Sequence, residues 1–496
     1  MSAAPGAAST LPGKAPARLP RYGLAGAITV ALVLSAVYAA GQILFWSAPE
    51  LTSRTTWIKF FLLPEPVPFR VTRVVLLIGW GVAALLGLGL LLTRRGGVPE
   101  RPVPTEQTVL ACQYGILGAL LLPFAVMPLA GLGGHLPQLL LCLPPTLAAL
   151  LLVHRAQLYR RMPGWLLAAG FGWGVLIGGG FGLVMITWMQ RSVPGYFMSG
   201  PWERPLDGVR ELYTLFPLGT AVVTELGKAA GVAVLFVLFR RHVDGVVSGV
   251  VLGAAVGLGF NLTETVHYLS LVSPAHRFTQ LWDRQVVGLL TAHVAFTALA
   301  GAGIGATRWL LSRRDRMLAI GGGLLAATGG HFEADVVLMH LDGRRADWYP
   351  NETLGLLVGI PVMTAITSGV FVALYALILR CGLRAQAVGL TRALHAEAVC
   401  GLGAVTEPEI GLLLSPRRRL LLELRVWRRD GTAGLRHLLR FQQAQLDLAT
   451  QHWHRERPGA DSYIPEEAKL RERVLELKGV PASAQSTSLP TQETLS

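Results

Sequence analysis

About ten apolar runs, each close to twenty residues or longer, follow one another between Tyr22 and Leu379, and that succession limits the fold more than any other feature of the chain. They lie at Tyr22–Trp46, Val74–Leu92, Val109–Leu132, Leu136–Val153, Trp165–Met189, Leu215–Phe239, Val246–Leu271, Val286–Leu311, Met317–Met339 and Leu354–Leu379. A helix of about twenty residues is about 30 Å long, the thickness of a bilayer's hydrocarbon core. Backbone groups in lipid must bond within their own segment, so runs of this length predict helices. The expected fold class is all-α: a polytopic transmembrane helix bundle of about ten spans with a soluble helical cytoplasmic tail. The whole chain agrees, at 52% hydrophobic and only 15% charged over 496 residues. The first run is too long for a signal-peptide core and predicts a retained helix. Pro123, Pro128, Pro144 and Pro145 are expected to kink the third and fourth spans.

A net charge of +14 would suit nucleic acid if it were spread over one face. Instead the arginines cluster beside apolar runs, at Arg94–Arg95, Arg160–Arg161, Arg240–Arg241 and Arg313–Arg314. That is the pattern of positive-inside loops, so the lipid bilayer is the expected partner and nucleic acid is not. The orientation that follows is a multi-pass protein of the cell membrane with both termini cytoplasmic. The segment Leu51–Arg70 then lies outside, at the interface. The four cysteines show no zinc or redox spacing. His452 and His454 have no carboxylate or cysteine to complete a metal set, and read as a solvated helix end. The chain divides into an N-terminal segment 1–21, spans over 22–190, a core over 210–340, a last span over 354–380, a helical tail over 381–480 and a disordered terminus over 481–496. Helical periodicity in the tail covers Ile410–Trp427 and Leu435–His452; no motif there names a partner.

Four consecutive runs carry ionisable residues, each of which costs at least about 2.5–3.5 kcal/mol at a bilayer centre and so marks a site. They are Glu225 with Lys228, Glu264, His293, and His331 with Asp335; Glu333 lies between the last two. Phe260, Glu264 and Tyr268 step by four along one helix face, as do His293, Thr297, Gly301 and Gly305. Gly249, Gly253 and Gly257 form a small-residue stripe that lets a neighbouring helix approach closely. Gly301-x-Gly303-x-Gly305 follows no strand and reads as packing rather than a phosphate loop. In the expected orientation all four charged positions lie about 8–16 Å below the outer surface. Taken singly, each residue has a structural explanation, such as a neutralised pair or a satisfied histidine. Their shared depth predicts one polar cavity opening outward.

Such a set permits hydrolysis: a carboxylate takes a proton from water, and a neutral histidine holds the water. A second histidine with an acidic partner stabilises an oxyanion. Alternatively Glu264, His293 and His331 ligate zinc. Lys228 beside Glu225 already places a cation there, so no cofactor is favoured and zinc is the possible one.

The ordered motifs resemble the PrsW intramembrane proteases, distant relatives of the CAAX-processing membrane proteases. The match consists of Glu225/Lys228, Gly259/Phe260/Glu264/Tyr268, His293/Thr297/Gly301/Gly305 and His331/Asp335, and makes 210–340 the catalytic core. The resemblance implies a peptidase that cuts single-pass membrane proteins near the extracytoplasmic side. Glu225, Glu264, His293 and His331 would be catalytic, with Lys228, Tyr268 and Asp335 supporting them. The chain departs from the family at Thr224, where the first motif usually has a second glutamate. A non-catalytic pseudoprotease and a transporter with a polar cavity are the alternatives, although the halves show no matched broken helices.

Overall fold

The computed structural model describes residues 21–46, 67–95, 105–192, 212–342, 351–455, 457 and 467–479. Residues 1–20 of the expected N-terminal segment, most of Leu51–Arg70, the mixed-charge loops around Asp207 and Asp347, and the terminus beyond 480 fall outside the described residues. Every regular element among those described is helical.

The helices are α1 (Arg21–Trp46), α2 (Val67–Arg95), α3 (Glu106–Leu121), α4 (Val126–Gly134), α5 (Leu136–Arg155), α6 (Gly164–Trp173) and α7 (Gly179–Ser192). Next come α8 (Leu212–Leu238), α9 (Val246–Leu271), α10 (Arg277–Trp282), α11 (Ala292–Ala306), α12 (Arg313–Asp342) and α13 (Ile360–Val399). The tail adds α14 (Glu407–Leu413), α15 (Pro416–Arg455) and α16 (Glu467–Lys478). Nine candidate spans among the described residues are long and apolar enough to cross a membrane. The tenth expected span is α12, a continuous helix of 30 residues; His331, Glu333 and Asp335 make it more polar than the other nine. The chain is a multi-pass all-α membrane protein. Pro123 breaks the third span into a 3-10 turn at Leu122–Ala125, whereas Pro144 and Pro145 sit inside an uninterrupted α5.

α9 is the axis of the bundle. It is buried on nearly every side, as a helix with no polar face must be. Its glycine stripe meets α11 backbone to backbone: a Cβ added at Gly253 would lie 2.3 Å from the Thr297 carbonyl oxygen, and one at Gly257 would lie 2.5 Å from that of His293. From the other side, Gly301 and Gly305 press on Gly249, so the expected packing role of these glycines holds. No larger residue allows this approach, and the approach fixes the height of His293 against Glu264.

The eighth expected span, Val286–Leu311, differs from a single helix. Its first residues belong to a π-helical turn, Asp283–Val287. A turn through Gly288 and Thr291 follows, and α11 starts at Ala292, whose φ of 31° is left-handed. An alanine pays strain there, held by the surrounding packing. The last span does not end where the tail begins. α13 runs unbroken for 40 residues, about 60 Å, twice the thickness of a hydrocarbon core.

That overhang carries the tail core, in which Leu390 and Leu394 pack with Ile410, Leu413, Leu446 and Ala449. Gly431, at φ 65°, breaks α15 between the two segments of helical periodicity. Tyr159 joins the tail core from the loop after α5, and Arg160 bonds Asp447 at 3.1 Å. His454 lies buried against Trp309, ring centroids 4.5 Å apart; burial pushes its pKa down to about 3.

Gly253→Val should cost about 1–3 kcal/mol or more through overpacking against the α11 backbone. Gly131→Ala, with nothing within 4 Å of the added carbon, should be close to neutral. Thermal unfolding of the purified protein in nanodiscs checks the contrast.

Candidate active site

Four helices deliver the unusual residues to one place. α8 supplies Thr224, Glu225 and Lys228; α9 supplies Phe260, Glu264 and Tyr268; α11 supplies His293 and Thr297; α12 supplies His331 and Asp335. Glu225 and Lys228 have no exposed side-chain surface.

The contacts form a chain. The Lys228 ammonium donates to Glu225 Oε1, sits 3.2 Å from His293 Nδ1 and lies 4.4 Å from the Phe260 ring centroid. Glu225 Oε1 is 2.9 Å from His331 Nδ1, and Glu225 Oε2 accepts from Thr297 Oγ1 at 3.4 Å. Glu264 Oε2 is 2.6 Å from His293 Nε2 and accepts from Arg284 Nη1 at 2.7 Å. The two imidazole centroids are 5.0 Å apart.

The partners assign the tautomers. Glu264 beside Arg284 is an acceptor, so His293 donates from Nε2; its Nδ1 lone pair then accepts from Lys228. A carboxylate on one ring nitrogen with the other left as a lone pair is the arrangement that orients a ligating or base-assisting histidine. At His331, Nδ1 faces Glu225 and also Thr224 Oγ1 at 3.1 Å. The Thr224 hydroxyl proton is directed at the Thr220 carbonyl, 2.8 Å away, which leaves its lone pairs for the imidazole. The other nitrogen, Nε2, lies 3.7 Å from Asp335 Oδ2, and Asp335 is held by Thr220 at 3.2 Å.

Glu225, Lys228, Glu264, His293 and His331 are thus brought together, with Asp335 one turn away. Tyr268 sits further out and reaches the cluster through Arg284, whose guanidinium carbon lies 4.0 Å from its ring centroid. Glu333 faces away, its Oε2 without a hydrogen bond. Two participants were not recognised from the sequence. Arg284 lies just before the expected start of the eighth span and looks like a loop charge. The signal in the sequence is an adjacent Asp283–Arg284 pair in a connection on the side expected to be outside. Thr224 was noted as a departure from a motif, not as a hydrogen-bond partner of His331.

A metal fits the donors. Glu225, His293 and His331 each offer a ligand atom, and these lie within 4.8 Å of one another. One carboxylate with two imidazoles, all buried, is a zinc set of catalytic type. The gathered carboxylate is Glu225, whereas Glu264, expected to complete such a set, is tied to Arg284 and His293. Lys228 bonds two of the three donors, so a metal competes with the ammonium for them.

A buried carboxylate–imidazole cluster among helices that cross a membrane defines the class: a membrane-embedded hydrolase. Residues 162–366, which include all four helices of the cluster, match the family model described as PrsW family intramembrane metalloprotease. Its members are intramembrane peptidases, so the chain is a peptide-bond hydrolase, as the motifs led one to expect. No curated protein matches the chain, and no solved structure does.

Lys228→Met should destabilise the protein by about 3–5 kcal/mol, because it leaves the Glu225 carboxylate buried without a counter-charge. Adding Glu225→Gln should recover most of that loss. Denaturation of the single and double variants in the same detergent measures both.

Proposed function

We propose that the chain cleaves single-pass membrane proteins within or just beside the bilayer, near the extracytoplasmic side, using water activated by Glu264 with His293. The observation that carries this is the convergence of Glu225, Lys228, Glu264, His293 and His331 from four helices, in surroundings where each charge is costly. The arginine-bearing loops support the orientation that opens the site outward, with both termini in the cytoplasm.

Glu264 has one oxygen anchored by His293 and Arg284. Among the described residues no donor reaches the other, Oε1, and that oxygen takes the proton from the attacking water. His293, locked by Glu264, keeps a lone pair directed into the site. Lys228 and the His331 N–H face the centre of the cluster, where they balance the charge that grows on the carbonyl oxygen. Thr224 holds His331, so a hydroxyl stands in the place where the family usually has a glutamate. Zinc held by Glu225, His293 and His331 would supply Lewis acidity and a bound water with a pKa near 7.

Proteoliposomes containing the protein and a set of labelled single-span peptides test the proposal. Glu264→Gln and His293→Ala should each lower the cleavage rate by about 10²–10⁴-fold. Cleavage that persists unchanged in both variants would overturn the assignment. Wild-type protein that binds the peptides and never cuts them would point to a binding role.

Metal content decides the second point. Wild-type protein should hold one zinc per chain by elemental analysis, and His293→Ala with His331→Ala should hold none. Full activity in zinc-free protein would instead establish the ammonium-centred site as complete.

A further inference from the structure

Arg284 reaches the site from irregular backbone, a π turn that precedes α11. The segment between α9 and α11 runs through α10, the π turn Asp283–Val287 and the turn to Ala292. Three contacts to three different elements hold it. Trp282 Nε1 donates to the Leu356 carbonyl at 2.8 Å. Asn261 Nδ2 on α9 donates to the Arg284 carbonyl at 3.4 Å. Thr146 on α5 donates to Gln285 Oε1 at 3.0 Å. The residues on both sides of Arg284, and its own backbone, are therefore fixed, and its side chain lies along the Tyr268 ring. Such anchoring exceeds what a loop arginine at a membrane surface needs.

What the anchoring delivers to the cluster is the bond from Arg284 Nη1 to Glu264 Oε2 at 2.7 Å. The same oxygen receives His293 Nε2 at 2.6 Å. A glutamate has three rotatable bonds, and one imidazole contact leaves the carboxylate free to swing about it. A second donor from a planar, permanently charged fork removes that freedom. It also offsets the carboxylate's charge where Glu264 is only 14% exposed and Arg284 only 23%.

We infer that Arg284 is a positioning residue for Glu264, holding one carboxylate oxygen against His293 so that the other stays open to the reacting water. The inference rests on the hydrolase reading above. It assigns Arg284 no contact with substrate, and it makes the α9–α11 connection part of the machinery.

The experiment compares Arg284→Gln, Arg284→Lys, Glu264→Gln and the double variant Arg284→Gln/Glu264→Gln on a labelled single-span peptide in proteoliposomes. Arg284→Gln should lower kcat by about 10–10²-fold and leave KM within about 2-fold, as expected for an interaction used in the transition state. Arg284→Lys should recover most of the loss. In the Glu264→Gln background the arginine change should cost less than about 3-fold, because the two residues act as one unit. Equal losses in both backgrounds, or a rise in KM with kcat unchanged, would overturn the proposal.

An activity-independent measurement uses protein labelled with ¹⁵N-histidine. The solid-state NMR signal lost in His293→Ala belongs to His293. It should report an Nε2–H tautomer in wild type and a mixture in Arg284→Gln; an unchanged spectrum overturns the inference. If no peptide is cut by wild type, the hydrolase reading falls, and the tautomer measurement alone decides whether Arg284 positions the pair.

Discussion

An ammonium and a carboxylate, both without exposed surface, sit inside helices that are otherwise apolar. Removing two charges from water costs several kcal/mol each, and only close pairing with further hydrogen bonds offsets it. Lys228 and Glu225 meet that condition through His293, His331 and Thr297. The rest of the bundle follows from the need to bring those partners to them. α11 and α12 must hold their histidines at the depth of Glu225, and α9 must stand close enough to place Glu264 on the far nitrogen of His293.

Close approach is achieved by removing side chains. Along the α9–α11 contact, glycine faces backbone, so the two helices are set by main-chain contact and not by flexible side chains. Irregular backbone does the remaining work. π turns occur at Gly174–Gly178, Asp283–Val287 and Gly355–Gly359. The last two meet where Trp282 bonds Leu356. In lipid such breaks survive only where neighbouring groups take up the freed backbone, which Asn261 does for Arg284. The interruption shortens α11 and brings its first turn, with His293, to the depth of the cluster.

On the proposed function, one scaffold accommodates two charge arrangements. With the ammonium in place, Lys228 is the central cation; with a dication held by Glu225, His293 and His331, Lys228 gives up two of its bonds. Glu264 keeps the same partners in either case, because its contacts with His293 and Arg284 involve neither Glu225 nor Lys228. The tail is continuous with the bundle through α13 and contacts the loops after α5 and after α11, which are in turn bonded to Asp244 in the loop after α8. The loop after α11 lies at the opposite end of that helix from His293.

The sequence by itself determined the class of fold, since apolar runs of bilayer length leave the backbone no alternative to helices. It also picked out Glu225, Lys228, Glu264, His293 and His331, because charge is rare enough in lipid to be visible without neighbours. The glycine stripe was legible for the same reason of periodicity. Which residues pair with which was not legible. That the carboxylate gathered with both histidines is Glu225, that Thr224 bonds His331, and that Arg284 completes Glu264 depend on helix rotation and on a break at Asp283–Ala292. Both are set by contacts between segments far apart in the chain. Periodicity ranks the residues on one helix face but carries no information on which face of another helix it meets, so only the tertiary structure decided the pairs.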